Sequence, residues 1–123
     1  MRDFHNLKIW ERAHKLTLSL YKVSRRFPNE ELYGLTSQIR RSSASIPSNI
    51  AEGCGRDSQA ETIHFFQVAM GSSSELEYQL ILAHDLGYIE EKAFIELSNE
   101  LSELRRMLNV YIQKLKSTLP KRN

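Results

Sequence analysis

The chain has 123 residues, 41% hydrophobic and 26% charged, with five glycines and three prolines; this predicts one folded domain over 1–123 with a single core and excludes a disordered or collagen-like chain. One cysteine, Cys54, excludes an internal disulfide, no apolar run approaches the roughly 18 residues of a membrane span, and the opening MRDFHNLKIW is charged where a secretory leader is apolar, so a cytoplasmic protein is expected. The net charge of +2 is uneven, with ten basic and six acidic side chains over 1–60, one and nine over 61–104, and six and none over 105–123, a pattern that fits either charge-complementary helices or an anion-binding surface.

The first helical pattern runs from about Leu7 to Arg26 and places Leu7, Trp10, Ala13, Thr17, Leu20, Tyr21 and Ser24 on one side. Asn6 is the candidate cap and Pro28 the stop. On the side away from this stripe Lys8, Arg12, Lys15, Lys22 and Arg26 cluster, bordered only by Glu11. Five cations with almost no acidic interruption form a candidate phosphate-binding track, which Arg105, Arg106, Lys114, Lys116, Lys121 and Arg122 could extend. A solvated face is the plain structural alternative. No aromatic residues interleave the track, so base stacking is not expected.

The next stretch, SSASIPSNIAEGCGR, has the composition of a loop. Its apolar residues say otherwise, because Leu32, Leu35, Ile39, Ile46 and Ile50 stay in helical phase across Pro47. The second helix is therefore expected to continue through Pro47 with a kink there, the freed carbonyl of Ser43 being satisfied by a neighbouring hydroxyl or water. Its serines let another helix come close. Gly53 is expected to end the helix as a left-handed cap. Arg40 and Arg41 lie off the stripe, available for an intersubunit ion pair or for the basic track.

The third pattern, about Ser58 to Leu86, is apolar nearly all round: Ile63, Phe65, Phe66, Val68, Met70, Leu76, Tyr78, Leu80, Ile81 and Leu82 leave no polar face. A helix of a monomeric bundle keeps one side in water, so a subunit interface is predicted here, with Phe65, Phe66, Met70, Gly71, Ser72, Leu76 and Leu80 as its candidates. The fourth helix, about Glu91 to Thr118, repeats Leu97, Leu101, Leu104, Leu108, Tyr111 and Leu115 as a bundle seam. Nothing reads as a strand, and short connections at Pro28, Gly55 and Gly87 predict an all-α, up-down-up-down antiparallel four-helix bundle.

Catalytic or metal chemistry finds little support. Glu11 with His14 and Glu61 with His64 have the Glu-x-x-His spacing of di-iron bundles, but the second and fourth helices offer the core no carboxylate. Cys54 has no designated base, and Gly53 and Gly55 follow a helix where a phosphate loop would precede one. No catalytic residue, metal, cofactor or small-molecule substrate is assigned.

Phe4, Leu7 and Trp10, the run FPNEELYGLTSQIRRSSASIPSNIAEG, then Phe65, Ala69, Gly71, Ser72 and Glu75, and the LGY of Leu86 to Tyr88 resemble the bacterial four-helix-bundle proteins encoded by intervening sequences within large-subunit ribosomal RNA genes. The resemblance covers nearly the whole chain and is most specific in SIPSNIAEG. It implies a left-handed antiparallel bundle assembled as a homopentameric ring. A related protein, the accessory variability protein of diversity-generating retroelements, implies binding of nucleic acid through a basic surface. The family commonly has an aromatic residue where Cys54 stands, so the resemblance implies no required thiol. The sequence thus predicts a non-enzymatic oligomer offering a basic surface to RNA or DNA, the alternative being a protein-interaction scaffold without nucleic-acid binding.

Overall fold

A computed structural model of the chain describes residues 3–120. These form four helices, α1 (Lys8–Ser24), α2 (Leu35–Cys54), α3 (Gln59–Asp85) and α4 (Glu91–Ser117), and among the described residues no strand. Short 3-10 turns at Phe4–Asn6 and Asn29–Glu31 precede α1 and α2. Hydrogen bonds between helices fix their directions. Thr17 meets Ser43 while Ser24 meets Arg40, Ser42 meets Gln79 while Ser45 meets Ser72, and Ser73 meets Arg105 while Gln59 meets Leu115. In each set one number rises as the other falls, so consecutive helices are antiparallel. Arg12 joins α1 to Glu100 and Met107 of α4 and closes the bundle.

Leu20, Ile39, Ile46, Ile50, Phe66, Leu76, Leu80, Leu101, Leu104 and Leu108 are fully buried at its centre. Each large apolar side chain contributes about 1.5–3 kcal/mol by leaving water. The buried face of α1 is Ile9, Ala13, Leu16, Thr17, Leu20 and Ser24, turned from the expected stripe: Ile9 and Leu16 are buried, Tyr21 is largely exposed. The cause is that α1 packs against both α2 and α4, and the second neighbour pulls the face around. Asn6 is not the cap of α1. Leu7 occupies that position without a side-chain bond. Leu32 precedes α2 and is exposed, so its stripe begins at Leu35.

The serine-rich segment is helical throughout, with Pro47 inside α2. Proline 47 has no N–H for the Ser43 carbonyl, and the Thr17 hydroxyl of α1 donates to that carbonyl at 2.9 Å. Nearby polar side chains tie α2 to α3 and to its own backbone. Ser42 Oγ donates to Gln79 Oε1 at 2.5 Å, Ser45 and Ser72 hydroxyls lie 2.8 Å apart, and Asn49 Nδ2 donates to the Ser45 carbonyl at 2.8 Å. Gly53 is not a left-handed cap. It lies buried inside α2, where an added Cβ would sit 2.9 Å from Phe66 Cε1 and 3.1 Å from the Thr62 carbonyl, so the glycine permits close approach of α3. The Thr62 hydroxyl also donates to the Gly53 carbonyl at 2.8 Å.

The positive φ among the described residues is at Gly87, +80°, where α3 stops. The Tyr88 N–H bonds the Ala83 carbonyl at 2.8 Å and the Gly87 N–H the His84 carbonyl at 2.9 Å, which ends the helix and turns the chain into α4. Tyr88 then packs on Phe27 and donates its hydroxyl to Glu31 Oε2 at 2.9 Å, while Glu31 Oε1 accepts from the Leu35 N–H at the start of α2. The FPNEELYG and LGY segments meet at this end of the bundle. The bond to Glu31, and secondarily burial, raises the Tyr88 hydroxyl above its ordinary pKa.

Candidate nucleic-acid and subunit surfaces

Lys8, Lys15, Lys22 and Arg26 of the α1 stripe are exposed, and Arg12 is half-buried. Lys15, Lys22 and Arg26 lie along the flank facing α4, whose first half carries Glu91, Glu96, Glu100 and Glu103. Arg12 reaches Glu100 at 3.5 Å and the Met107 sulfur at 3.4 Å, and Lys15 pairs with Glu11 at 3.1 Å. Toward the Gly87 turn, α1 and α4 separate into an open groove of about 730 Å³. Lys15, Lys22 and Arg26 line one wall and Glu90, Glu96 and Glu100 the other, over a floor that includes Leu16, Val23, Ala93 and Leu97. Lys8, Lys22 and Arg26 have no carboxylate within 4 Å among the described residues.

The proposed extension onto α4 is divided between different faces. Arg105 is held against α3 by Ser73 at 3.0 Å, Ser74 at 2.9 Å and Glu77 at 3.1 Å. Arg106 makes two bonds to Glu103, at 3.0 and 2.5 Å, which hold the Glu103 carboxyl below its usual range and raise the guanidinium. Lys121 and Arg122 lie outside the described residues. Arg40 is drawn inward, with Nε donating to Ser24 Oγ at 2.8 Å and its guanidinium 4.9 Å from the centre of the Tyr21 ring. Arg41 pairs with Glu75 at 3.1 Å. Arg12, Lys15, Arg105 and Arg106, four of the eleven cations of the stripe and its extension, therefore make ion pairs within the chain. A helical wheel shows the pairs made within one helix, Lys15 with Glu11 and Arg106 with Glu103, whereas Glu100 beside Arg12 and Glu77 beside Arg105 enter through topology.

The interface candidates also divide. Phe66, Leu76 and Leu80 are at most 1% exposed and belong to the chain's own core, so they cannot meet a second subunit. The reason is that α3 packs against both α2 and α4 and buries a wide arc. Phe65, Met70 and Ser72 are half-buried at its edges, Ser72 bonded to Ser45 and Phe65 under the Arg56 guanidinium at 4.6 Å. Gly71 is exposed, and a Cβ added there would meet nothing within 4 Å. Around it on the outer side lie Val68, Tyr78 and Ile81, at 39%, 62% and 43% exposure. Ile81 also belongs, with Ile63 and Met70, to the second apolar side of α3 that could face another subunit, while Val68 and Tyr78 are on neither side although spacings of three and seven residues from Gly71 put them on its side of the helix.

The remaining chemistry-bearing residues lie at the surface or are taken up in packing. His14 stacks on Trp10 with ring centres 5.1 Å apart, His64 meets Phe65 edge-on, and Glu61 accepts the Ser58 hydroxyl and neighbours Arg56. Cys54 is buried at the end of α2. Among the described residues no helix is long and apolar enough to cross a membrane.

Comparison with known proteins follows the same lines. A crystal structure at 1.70 Å of a protein of unknown function from the S23 ribosomal protein family, from Bacteroides thetaiotaomicron, is similar in fold, with a TM-score of 0.79 at 24% identity, covering 85% of this chain and 95% of that one. No curated protein matches the chain. Residues 5–110, from the first turn to well within α4, match the family described as 23S rRNA-intervening sequence protein. With that match running through the serine segment of α2 and the exposed glycine of α3, the chain belongs to the 23S rRNA-intervening sequence protein family.

Proposed function

We propose that this protein is a non-catalytic cytoplasmic scaffold that works as a closed oligomer, its subunits meeting on the outer face of α3. The observation that supports this reading is Gly71. A glycine in the middle of a helix costs about 1 kcal/mol relative to alanine, and nothing in its own chain requires one there. Together with exposed Val68, Tyr78 and Ile81 it makes an apolar surface with a notch, suited to a second helix at close range. The resemblance to ring-forming bundles makes five the expected number. Sedimentation equilibrium tests the reading: the native chain should sediment as an oligomer at micromolar concentration, and the Tyr78→Lys chain as a monomer. A native 14.3 kDa monomer would refute it, and a closed oligomer of another size would refute the pentamer alone.

A second reading, binding of RNA or DNA, is favoured by Lys8, Lys22 and Arg26, which lack carboxylate partners among the described residues. Retention of a labelled RNA or DNA should weaken as salt rises, with a slope of about −0.9 per neutralised phosphate on duplex DNA. No retention at low salt removes this reading and leaves the scaffold.

A further inference from the structure

The seam between α1 and α4 is the most loosely packed of the bundle, and among the described residues only the Arg12 side chain bonds across it, to Glu100 and Met107. Toward the Gly87 turn the seam opens into the groove of about 730 Å³. Lys22 and Arg26 stand exposed on the α1 wall and Glu90 and Glu96 on the α4 wall, and none of the four makes an ion pair within 4 Å among the described residues. Between the walls, Val23, Tyr88 and Ala93 are only half-buried. An apolar floor is thus left partly in water between two rows of charge that do not satisfy one another.

The two walls select the occupant. A nucleic-acid strand laid along Lys22 and Arg26 would run its phosphates beside Glu90 and Glu96, which repel them. A helix is convex and fits the seam between two others. From Lys15 to Arg26 the α1 wall is about 16 Å long, roughly three helical turns, and a helix lying there sets one stripe on the floor and one flank against each wall. Lys22 and Arg26, a turn apart on α1, match carboxylates spaced i and i+4 on the near flank. Glu90 and Glu96 match cations on the far flank. We infer that the α1–α4 groove is a docking site for an amphipathic helix of a partner protein, with an apolar stripe, carboxylates along the flank beside α1 and cations along the flank beside α4. This rests on the scaffold reading, to which it supplies the class of molecule held.

The probe is a designed, fluorescently labelled peptide of about 18 residues, long enough to hold helical structure, with a leucine and alanine stripe, glutamates along one flank and lysines along the other. Three controls keep its length: glutamates on both flanks, lysines on both flanks, and the probe's own composition scrambled so that no stripe forms. By fluorescence anisotropy the full-length native chain should bind the bipolar probe at least about tenfold more tightly than each control. In a Lys22→Glu, Arg26→Glu chain both walls are acidic, and the all-lysine probe should then bind at least about tenfold more tightly than the bipolar one. If circular dichroism shows that chain unfolded, Lys22→Gln, Arg26→Gln replaces it, and the bipolar probe's advantage over the all-lysine probe should shrink to within about threefold. Equal binding of the scrambled probe, no preference among flanks, or a preference unmoved by the changed wall overturns the inference. Two further results overturn it by naming another occupant. A bipolar probe that dissociates the native oligomer gives the groove to a second copy, and a single-stranded RNA held by the native chain but not by Lys22→Glu, Arg26→Glu, with no peptide bound, gives it to nucleic acid. No α3 side chain lines the groove, so sedimentation of the native chain without peptide judges the α3 contact separately. An oligomer that binds no probe refutes docking and leaves the assembly standing, and a monomer that binds the bipolar probe does the reverse.

Discussion

Replacing Thr17 by valine keeps the shape of the side chain and deletes the hydroxyl that satisfies the Ser43 carbonyl. The site is buried, Thr17 being 8% and Ser43 1% exposed, so water is poorly placed to substitute. Leaving a buried acceptor unmade costs about 1–3 kcal/mol. The same hydroxyl also bonds Ala13 at 3.0 Å, but that carbonyl lies within α1 and faces the ordinary helical N–H of residue 17, so most of the loss falls on Ser43. The explanation requires coupling to proline. In a Pro47→Ala background the new N–H of residue 47 can take the Ser43 carbonyl, and Thr17→Val should then cost only about 0–1 kcal/mol. Urea unfolding followed by circular dichroism, at one fixed protein concentration so that any assembly contributes equally, gives the four stabilities of the cycle. A coupling of about 1–2 kcal/mol is expected. Costs for Thr17→Val that agree in the two backgrounds within about 0.5 kcal/mol, the usual limit of additivity, would refute the account of how α2 passes through its proline.

Three further outcomes follow from the same geometry. Gly53→Ala should destabilise by about 1–3 kcal/mol in urea unfolding, because its Cβ would press on the Phe66 ring and the Thr62 backbone. Gly71→Ala should do the opposite to the isolated subunit, raising its stability by up to about 1 kcal/mol, while weakening assembly in sedimentation; an unchanged assembly would remove Gly71 from the interface. Tyr88 is held neutral in the folded chain by its bond to Glu31, so its pKa rises on folding and its contribution is fully present below about pH 10 and lost as pH climbs through the folded value. Stability measured across this alkaline range should therefore fall in the native chain and fall less steeply in Tyr88→Phe.

The helices were legible because burial and periodicity are properties of a single segment. Leu35, Ile39, Ile46 and Ile50 announce a continuous helix on their own, and the leucine seam of α4 does the same. The capping and closing contacts were not legible in that way. Thr17 looks like one more member of a stripe, and only the meeting of α1 with α2 turns it into the partner of Ser43. Gly53 at the end of an apolar run reads as a helix stop, and only the Phe66 ring shows that it is needed for close packing.

The surfaces follow the same logic and explain why the most specific segment of the chain holds no chemistry. Ser42, Ser43, Ser45, Asn49 and Gly53 are each bonded to a partner in α1, α3 or α2 itself. These bonds and the close approach at Gly53 tie the segment to its neighbours, so its specificity is accounted for by packing. The freedom to act on other molecules lies where side chains have no such assignment. That condition is met at Gly71 with Val68, Tyr78 and Ile81, and in the groove where Lys22 and Arg26 face Glu90 and Glu96 without touching them. The proposed subunit contact rests on the first of these surfaces, where exposed apolar side chains surround a glycine that its own chain does not require.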